Sequence, residues 1–396
     1  MCCLSGMLTR LGLSREVSAL FGASKHYTMV VASSSMSTGS DEILTESFDS
    51  KRIVTLNRPK ALNALNLNMV RELYPLLKKW DIGRNVSMVI VKGAGEKAFC
   101  AGGDVLAVTK SAKEAKGGGS STIHKDFFRE EYQLNHLIGT LSKPYVAIID
   151  GITMGGGCGL SVNGRFRVST ERTMLSMPET ALGLFPDVGG SYFLSRLKNN
   201  LGVYLALTGH RLHGADTLHS GLATHYVNSC DLPKLMERLL ALNEPTDKNV
   251  DETIRSLQPS DIPPFTLESK LPTIRKLFHA KTVEEIMQNL RKHDDEFAHK
   301  TLEILSKMSP TAMKVTLKQL DQGARTSYAK VFTMEYRLTQ RFMEDHDFHE
   351  GCRAILIDKD RNPKWKPATL EEVSDDHVES YFLPLPHAQE LIIHED

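Results

Sequence analysis

An α/β fold followed by a helical C-terminal subdomain is predicted by three observations. Short Val- and Ile-rich runs at 86–91 and 145–149 alternate with helical patterns at 66–80 and 125–141, and the connections are long enough for crossovers between parallel strands. Glycine-rich breaks, Gly93-Ala94-Gly95 and the stretch 151–159, follow those two runs. Beyond about Gly202, strand-like runs nearly vanish and apolar residues recur at helical spacing.

The first element expected is a β-hairpin. Residues 44–48 and 53–56 alternate apolar and polar side chains around Asp49-Ser50-Lys51, and Asn57-Arg58-Pro59 ends the second strand. Met69, Leu73, Leu76 and Leu77 fall on one face of a helix over 66–80. The 86–91 run is apolar without alternation, the pattern of a strand buried on both faces. Residues 107–122, rich in Lys, Ala, Gly and Ser, read as a mobile surface loop. A helix over 125–141 follows, and Pro144 introduces the second buried strand. Later helices are expected over 232–242, 271–279, 283–292, 297–307, 312–320 and 328–343. A short strand at 223–227 and polar or Pro-rich breaks at 243–251 and 258–264 interrupt them. This divides the chain into a leader (1–40), a core (41–230) and a helical region (231–396).

Lys plus Arg number 48 and Asp plus Glu number 48, so no global positive field marks the chain for nucleic acid or an anionic membrane. The balance is uneven, however. Residues 1–40 hold Arg10, Arg15 and Lys25 against Glu16 alone, with nine serines, a composition that fits a mitochondrial (matrix) transit peptide or a disordered leader. The remaining 45 basic and 47 acidic residues make a slightly acidic body. No apolar run reaches 18 residues, so no membrane span is expected. The six cysteines are scattered without a C-x-x-C pair, which argues against a disulfide framework and excludes a zinc ribbon. His346 and His349, among Glu344, Asp345, Asp347 and Glu350, read as a solvated polar turn in preference to a metal site. The G-x-S-x-G elbow, the phosphate-binding loop and the dinucleotide fingerprint are all absent from the sequence.

Three stretches carry the chemistry. Phe99-Cys100-Ala101-Gly102-Gly103-Asp104 follows the first buried strand, and its small residues let a substrate approach the backbone. The second, 151–159, follows the second strand and opens a short helix, whose first N–H groups are unpaired. Two such loops at neighbouring strand ends can aim two N–H groups at one carbonyl oxygen, as an oxyanion hole does. The third, 177–190, sets Glu179 and Asp187 among Met, Leu, Phe and Val. Each acid either caps a short helix or is desolvated for general base work.

Taken together, Arg58-Pro59-Lys60-Ala61-Leu62-Asn63-Ala64-Leu65, the Cys-Ala-Gly-Gly-Asp stretch, the Gly-Gly-Gly loop and Pro178-Glu179-Thr180 resemble the crotonase (enoyl-CoA hydratase/isomerase) superfamily, in order from about Ile43 to Trp365. The stretches 128–132, 151–159, 179–190 and 347–365 bring the chain nearest to members that hydrolyse a 3-hydroxyacyl-CoA thioester. The resemblance implies a crotonase-like ββα superhelix with a helical C-terminal subdomain. It implies an oxyanion hole from the N–H groups of Ala101 and Gly156, and a CoA-contacting turn of Lys60, Ala61 and Leu62, with Arg58 and Lys60 as local positive groups. Gly102, Gly103 and Asp104 complete that substrate-binding surface, and Glu131, Gly156, Glu179 and Asp187 match substrate-contacting positions.

Hydratases of the superfamily use a second glutamate where this chain has Gly159, so hydration is not expected. What remains, Glu179 and Asp187 near an oxyanion hole, fits thioester hydrolysis, and the resemblance implies 3-hydroxyisobutyryl-CoA, with 3-hydroxypropionyl-CoA as a second substrate, hydrolysed to free acid and CoA in valine catabolism. Glu179 would activate water or attack directly, and Asp187 would position the water or the substrate's hydroxyl. No metal or other cofactor is implied, because CoA is part of the substrate. A small-molecule acyl-CoA is the partner, without nucleic acid or membrane, and a homo-oligomer is compatible with the family. Two other readings stay open at this point: enoyl- or dienoyl-CoA isomerisation, and a non-catalytic scaffold of the same fold.

Overall fold

The computed structural model describes residues 41–394, and the expected leader at 1–40 lies outside the described residues. Ten strands are present there: β1 (Ile43–Phe48), β2 (Lys51–Leu56), β3 (Met88–Gly93), β4 (Ala98–Cys100), β5 (Tyr145–Ile149), β6 (Ile152–Met154), β7 (Phe166–Ser169), β8 (Met174–Ser176), β9 (Leu212–His213) and β10 (His225–Tyr226). They form a six-stranded sheet in the order β1-β2-β3-β5-β7-β10 and a four-stranded sheet in the order β4-β6-β8-β9. Only the β1–β2 and β8–β9 pairs are antiparallel. The chain therefore winds repeatedly from a strand of the large sheet to one of the small sheet and on into a helical turn. β3-β4, β5-β6 and β7-β8 make three such passes. This is the ββα superhelix, and it delivers the ends of the parallel small-sheet strands β4, β6 and β8 to the same place.

The missing alternation in β3 and β5 has its cause in burial on both faces. Val89, Val91, Ala147 and Ile149 belong to one apolar cluster, beneath helices Leu67–Ile82 and Ile123–Thr140. Met88, Ile90, Val146 and Ile148 belong to another, closed by Leu235, Leu239, Val250 and Ile254 from helices Leu232–Leu240 and Asp247–Arg255. Parallel strands covered by helices on both sides need apolar residues at every position.

Two expectations fail. Residues 107–116 of the expected mobile loop lie in a helix, Val105–Lys116, with Val108 and Ala112 buried. Its Ala and Lys residues are strong helix formers, and Gly117 to Gly119 end the helix without extending their looseness into it. Residues 243–251 are not simply a break. Thr246 and Asn249 exchange reciprocal side chain–backbone hydrogen bonds, a capping box that starts the helix Asp247–Arg255.

The helices Pro310–Gly323 and Tyr328–Glu344 lie against the core. Gly323 is packed so closely on Ser191 that a Cβ there would meet its carbonyl oxygen at 2.1 Å. Among the described residues no helix is long and apolar enough to cross a membrane.

Candidate active site

Three loops leave the small sheet at neighbouring positions and enclose one cavity of about 540 Å³. β4 runs into Ala101–Asp104, β6 into Gly155-Gly156, and β8 into Pro178-Glu179. The helix Ile123–Thr140 adds Phe127, Phe128 and Glu131, and Asp187 completes the polar lining. Of the residues predicted from sequence, the fold brings Ala61, Ala101, Gly102, Gly103, Asp104, Glu131, Gly156, Glu179 and Asp187 to this cavity. Lys60 and Leu62 do not line it, and Lys60 is exposed on the turn Pro59–Ala61.

The donors differ from expectation. The Ala101 N–H donates to the Leu62 carbonyl at 3.0 Å. It belongs to the fold and is engaged before any substrate arrives, so the oxyanion-hole role expected for it is corrected. The N–H groups of Gly103 and Gly156 have no acceptor among the described residues. They also lie close together, because a Cβ on Gly156 would stand 3.2 Å from the Gly103 nitrogen. A parallel bridge between Leu65 and Gly103 fixes that loop, with Leu65 N–H on Gly102 O and Asp104 N–H on Leu65 O, both at 2.8 Å.

Arg58 is likewise engaged. It pairs with Asp104 and Glu42 at 3.1 Å and donates to the Ala64 carbonyl at 2.7 Å. Arg58 and Asp104 thus tie the two loops together, which corrects the reading of Arg58 as a positive group left for CoA.

The acids are buried together. Glu131, Glu179 and Asp187 are 2%, 6% and 5% exposed. Glu131 Oε1 and Glu179 Oε2 have no protein partner. Both carboxyl groups face the glycine loop: a Cβ on Gly155 would meet the other Glu179 oxygen, Oε1, at 2.8 Å, and one on Gly156 would meet Glu131 Oε1 at 2.7 Å. Burial, with the Asp187 charge next in effect, holds the Glu131 and Glu179 carboxyls well above the usual range. Asp187 is raised less, to about 6, because the Tyr132 hydroxyl donates to its Oδ2 at 2.8 Å and opposes the effect of burial. Neither acid caps a helix, so the capping alternative falls away. Beside them, the Asn135 amide and Val188 fill the space next to Gly159, 2.8 Å and 2.7 Å from where its Cβ would lie.

Several lining groups escaped the sequence reading. Ile355 and Leu356, on the π-turn Arg353–Ile357, and Arg211 close the cavity. Tyr132 sits on a helix face that reads simply as core. Glu335 is fully buried on the helix Tyr328–Glu344, and burial pushes it to about 8 against two backbone hydrogen bonds that favour its charge. Its signal was present, since an acid lies at helical spacing between Val331 and Leu338 on an apolar face.

The turn at His346 is also not simply solvated. Asp347 is buried, accepting from Ser309 Oγ at 2.6 Å and Lys366 N at 2.9 Å. No cluster of His, Cys, Asp and Glu among the described residues has the geometry to hold a metal.

Against this geometry, the family model for enoyl-CoA hydratase/isomerase matches residues 51–382. The mitochondrial 3-hydroxyisobutyryl-CoA hydrolase of Xenopus laevis is 54% identical over 337 residues, 84% of this chain and 86% of that protein. That of Homo sapiens is 50% identical over 349 residues, 87% and 89% of the two chains. Of solved structures, a carnitinyl-CoA dehydratase from Mycobacterium thermoresistibile superposes with a TM-score of 0.81 at 38% identity, over 89% of this chain and 98% of its own.

Proposed function

This chain belongs to the enoyl-CoA hydratase/isomerase (crotonase) superfamily, and on that premise we propose that it is a mitochondrial hydrolase of 3-hydroxyisobutyryl-CoA, releasing the free acid and CoA in valine catabolism. One observation carries the reading beyond the family. Glu179 and Asp187 share a cavity with two unengaged N–H groups, while the position that bears the second hydratase glutamate is Gly159, backed by Asn135 and Val188. A carboxylate pair without that second acid suits attack on a thioester carbonyl, not addition of water across a double bond.

The thioester oxygen rests on the N–H groups of Gly103 and Gly156, where the negative charge of the tetrahedral intermediate develops. One such donor is worth about 3–4 kcal/mol of barrier. Glu179 supplies the new C–O bond, either by taking a proton from water as that water adds or by adding itself to give a mixed anhydride. In both routes the C–S bond breaks and the thiolate of CoA leaves; in the first it takes the proton that Glu179 removed from water, and in the second a water then opens the anhydride, which frees the acid, restores Glu179 and supplies the proton. Asp187, oriented by Tyr132, holds the water or accepts the substrate's 3-hydroxyl. Glu131, buried beside the glycine loop with its Oε1 free of protein partners, is placed to hydrogen-bond the substrate. We place this machinery in 41–230 and give 231–396 a supporting role.

Purified protein should release free CoA thiol from 3-hydroxyisobutyryl-CoA, and Glu179→Gln should abolish most of that release. No thiol release overturns the assignment and leaves isomerisation or a scaffold role, and full release by the folded variant removes Glu179 from the reaction. Single turnover in ¹⁸O-labelled water tests the routes, because an anhydride opened by water at the glutamyl carbonyl leaves label in Glu179 and an unlabelled product, whereas water activated by Glu179 puts label in the product. Isobutyryl-CoA, which lacks the hydroxyl, should be turned over with kcat/KM lower by at least about 10²-fold, since it leaves buried polar groups unpaired.

A further inference from the structure

The loop that carries Asp187 is held in a conformation that its own residues do not favour. Val188, β-branched, has φ of 54°, and Gly189 has φ of 92°. A left-handed Val persists only where its surroundings over-determine it. Here three side chains from elsewhere in the chain hold the loop's backbone. Asn163 Nδ2 donates to the Val188 carbonyl at 2.9 Å. Gln319 Nε2 donates to the Pro186 carbonyl at 2.6 Å and to Ser191 Oγ at 2.9 Å. Glu335 receives the N–H of Gly189 on Oε2 at 2.8 Å and that of Ser191 on Oε1 at 2.9 Å. Gln319 and Glu335 are both fully buried, on the helices Pro310–Gly323 and Tyr328–Glu344.

A carboxyl group buried in an apolar core is costly unless its polar atoms are paired. This one spans two N–H groups two residues apart, on the strained turn that directly follows the site acid. We infer that Glu335, together with Gln319, is a positioning residue for hydrolysis: it fixes the 186–191 loop so that the Asp187 carboxylate meets Tyr132 and the substrate. The helical C-terminal region is then part of the catalytic apparatus, not merely a packing layer. This rests on the role proposed above for Asp187.

Glu335→Gln keeps the volume but offers one acceptor in place of two and turns an amide NH₂ toward a backbone N–H. It should lower kcat by about 10- to 100-fold, the effect of misplacing a reacting group by a fraction of an ångström to 1 Å, with KM changed far less. Amide exchange at Gly189 to Ser191 should quicken. On an Asp187→Asn background the kcat loss should disappear, because there is no carboxylate left to position. Gln319→Leu provides the same measurements through the other arm of the brace if Glu335→Gln does not fold. Parental turnover in these variants, or a loss that multiplies with that of Asp187→Asn, overturns the inference. If Asp187→Asn itself turns over normally, the proposed role of Asp187 fails, and the brace is then decided by amide exchange alone: quickened exchange upholds it as a clamp on the loop, and unchanged exchange removes it.

Discussion

The two halves of the cavity are built on different principles. The donor half, Ala101–Asp104 with Gly155–Gly159, is made of backbone. Its groups are set by strand ends, the Leu65–Gly103 bridge and the absence of side chains, and its contacts are mostly backbone to backbone. The acid half, Glu131, Glu179 and Asp187, is made of side chains. The Asp187 loop is held by the side chains of Asn163, Gln319 and Glu335, the last two more than 120 residues away along the chain. The donor half therefore fails when an atom is added, and the acid half fails when a functional group is removed. Moreover, the donor half holds no buried carboxyl, whereas the acid half crowds several carboxyls into one desolvated space.

Gly156→Ala is the sharpest way to break the donor half. The new Cβ would stand 2.7 Å from Glu131 Oε1 and 3.2 Å from the Gly103 nitrogen, so it displaces one donor and strikes an acid at once. Loss of one oxyanion donor costs about 10²–10³ in kcat. A variant that folds, by circular dichroism and thermal melt, and still turns over at the parental rate would remove Gly156 from the oxyanion hole. The acid half should respond more gently and differently. Asp187→Asn should lower kcat by about 10²-fold, the lower range for a positioned acid–base group. With Asp187 at about 6, the parental kcat/KM should fall below that pH as the carboxylate takes up a proton. That limb should vanish in Asp187→Asn and persist in Gly156→Ala.

The same contrast explains what the sequence could reveal. The donor half is local: strand, glycine run and short helix are contiguous, so 151–159 announces itself. The acids Glu179 and Asp187 stand out for the same reason, as charges inside one apolar stretch. Whether they cap helices or face a cavity depends on Tyr132 and on burial from far along the chain, and no local pattern decides that. The Ala101 donor was misassigned because direction is not written in a run of small residues. The Leu62 carbonyl, in a left-handed turn with φ of 51°, claims the Ala101 N–H and leaves Gly103 unengaged. The helix Val105–Lys116 was obscured by the glycines that end it. Glu335 was legible in principle, as an acid out of place on an apolar face, but its function became visible only once the 186–191 loop lay against it.

The smallest effect concerns stability and separates the halves by sign. Asp187 has a native pKa of about 6 against an ordinary 3.8, so the native state holds its proton more tightly than the unfolded chain does. A raised carboxyl of this kind weighs nothing below pH 3.8 and destabilises progressively as pH rises through 6, by at most about 3 kcal/mol. Replacing it with a neutral isostere removes that penalty. Asp187→Asn should therefore be more stable than the parent at pH 8, by about 1–3 kcal/mol in urea unfolding, and close to it at pH 4. Gly156→Ala leaves the Asp187 carboxyl in place, so a gain at pH 8 from relief of Asp187 should be absent from it. Equal stability of Asp187→Asn and parent at pH 8 would mean that Asp187 is not under desolvation strain in the folded protein. A gain confined to high pH marks the acid half as the place where stability has been given up for a charge the reaction uses.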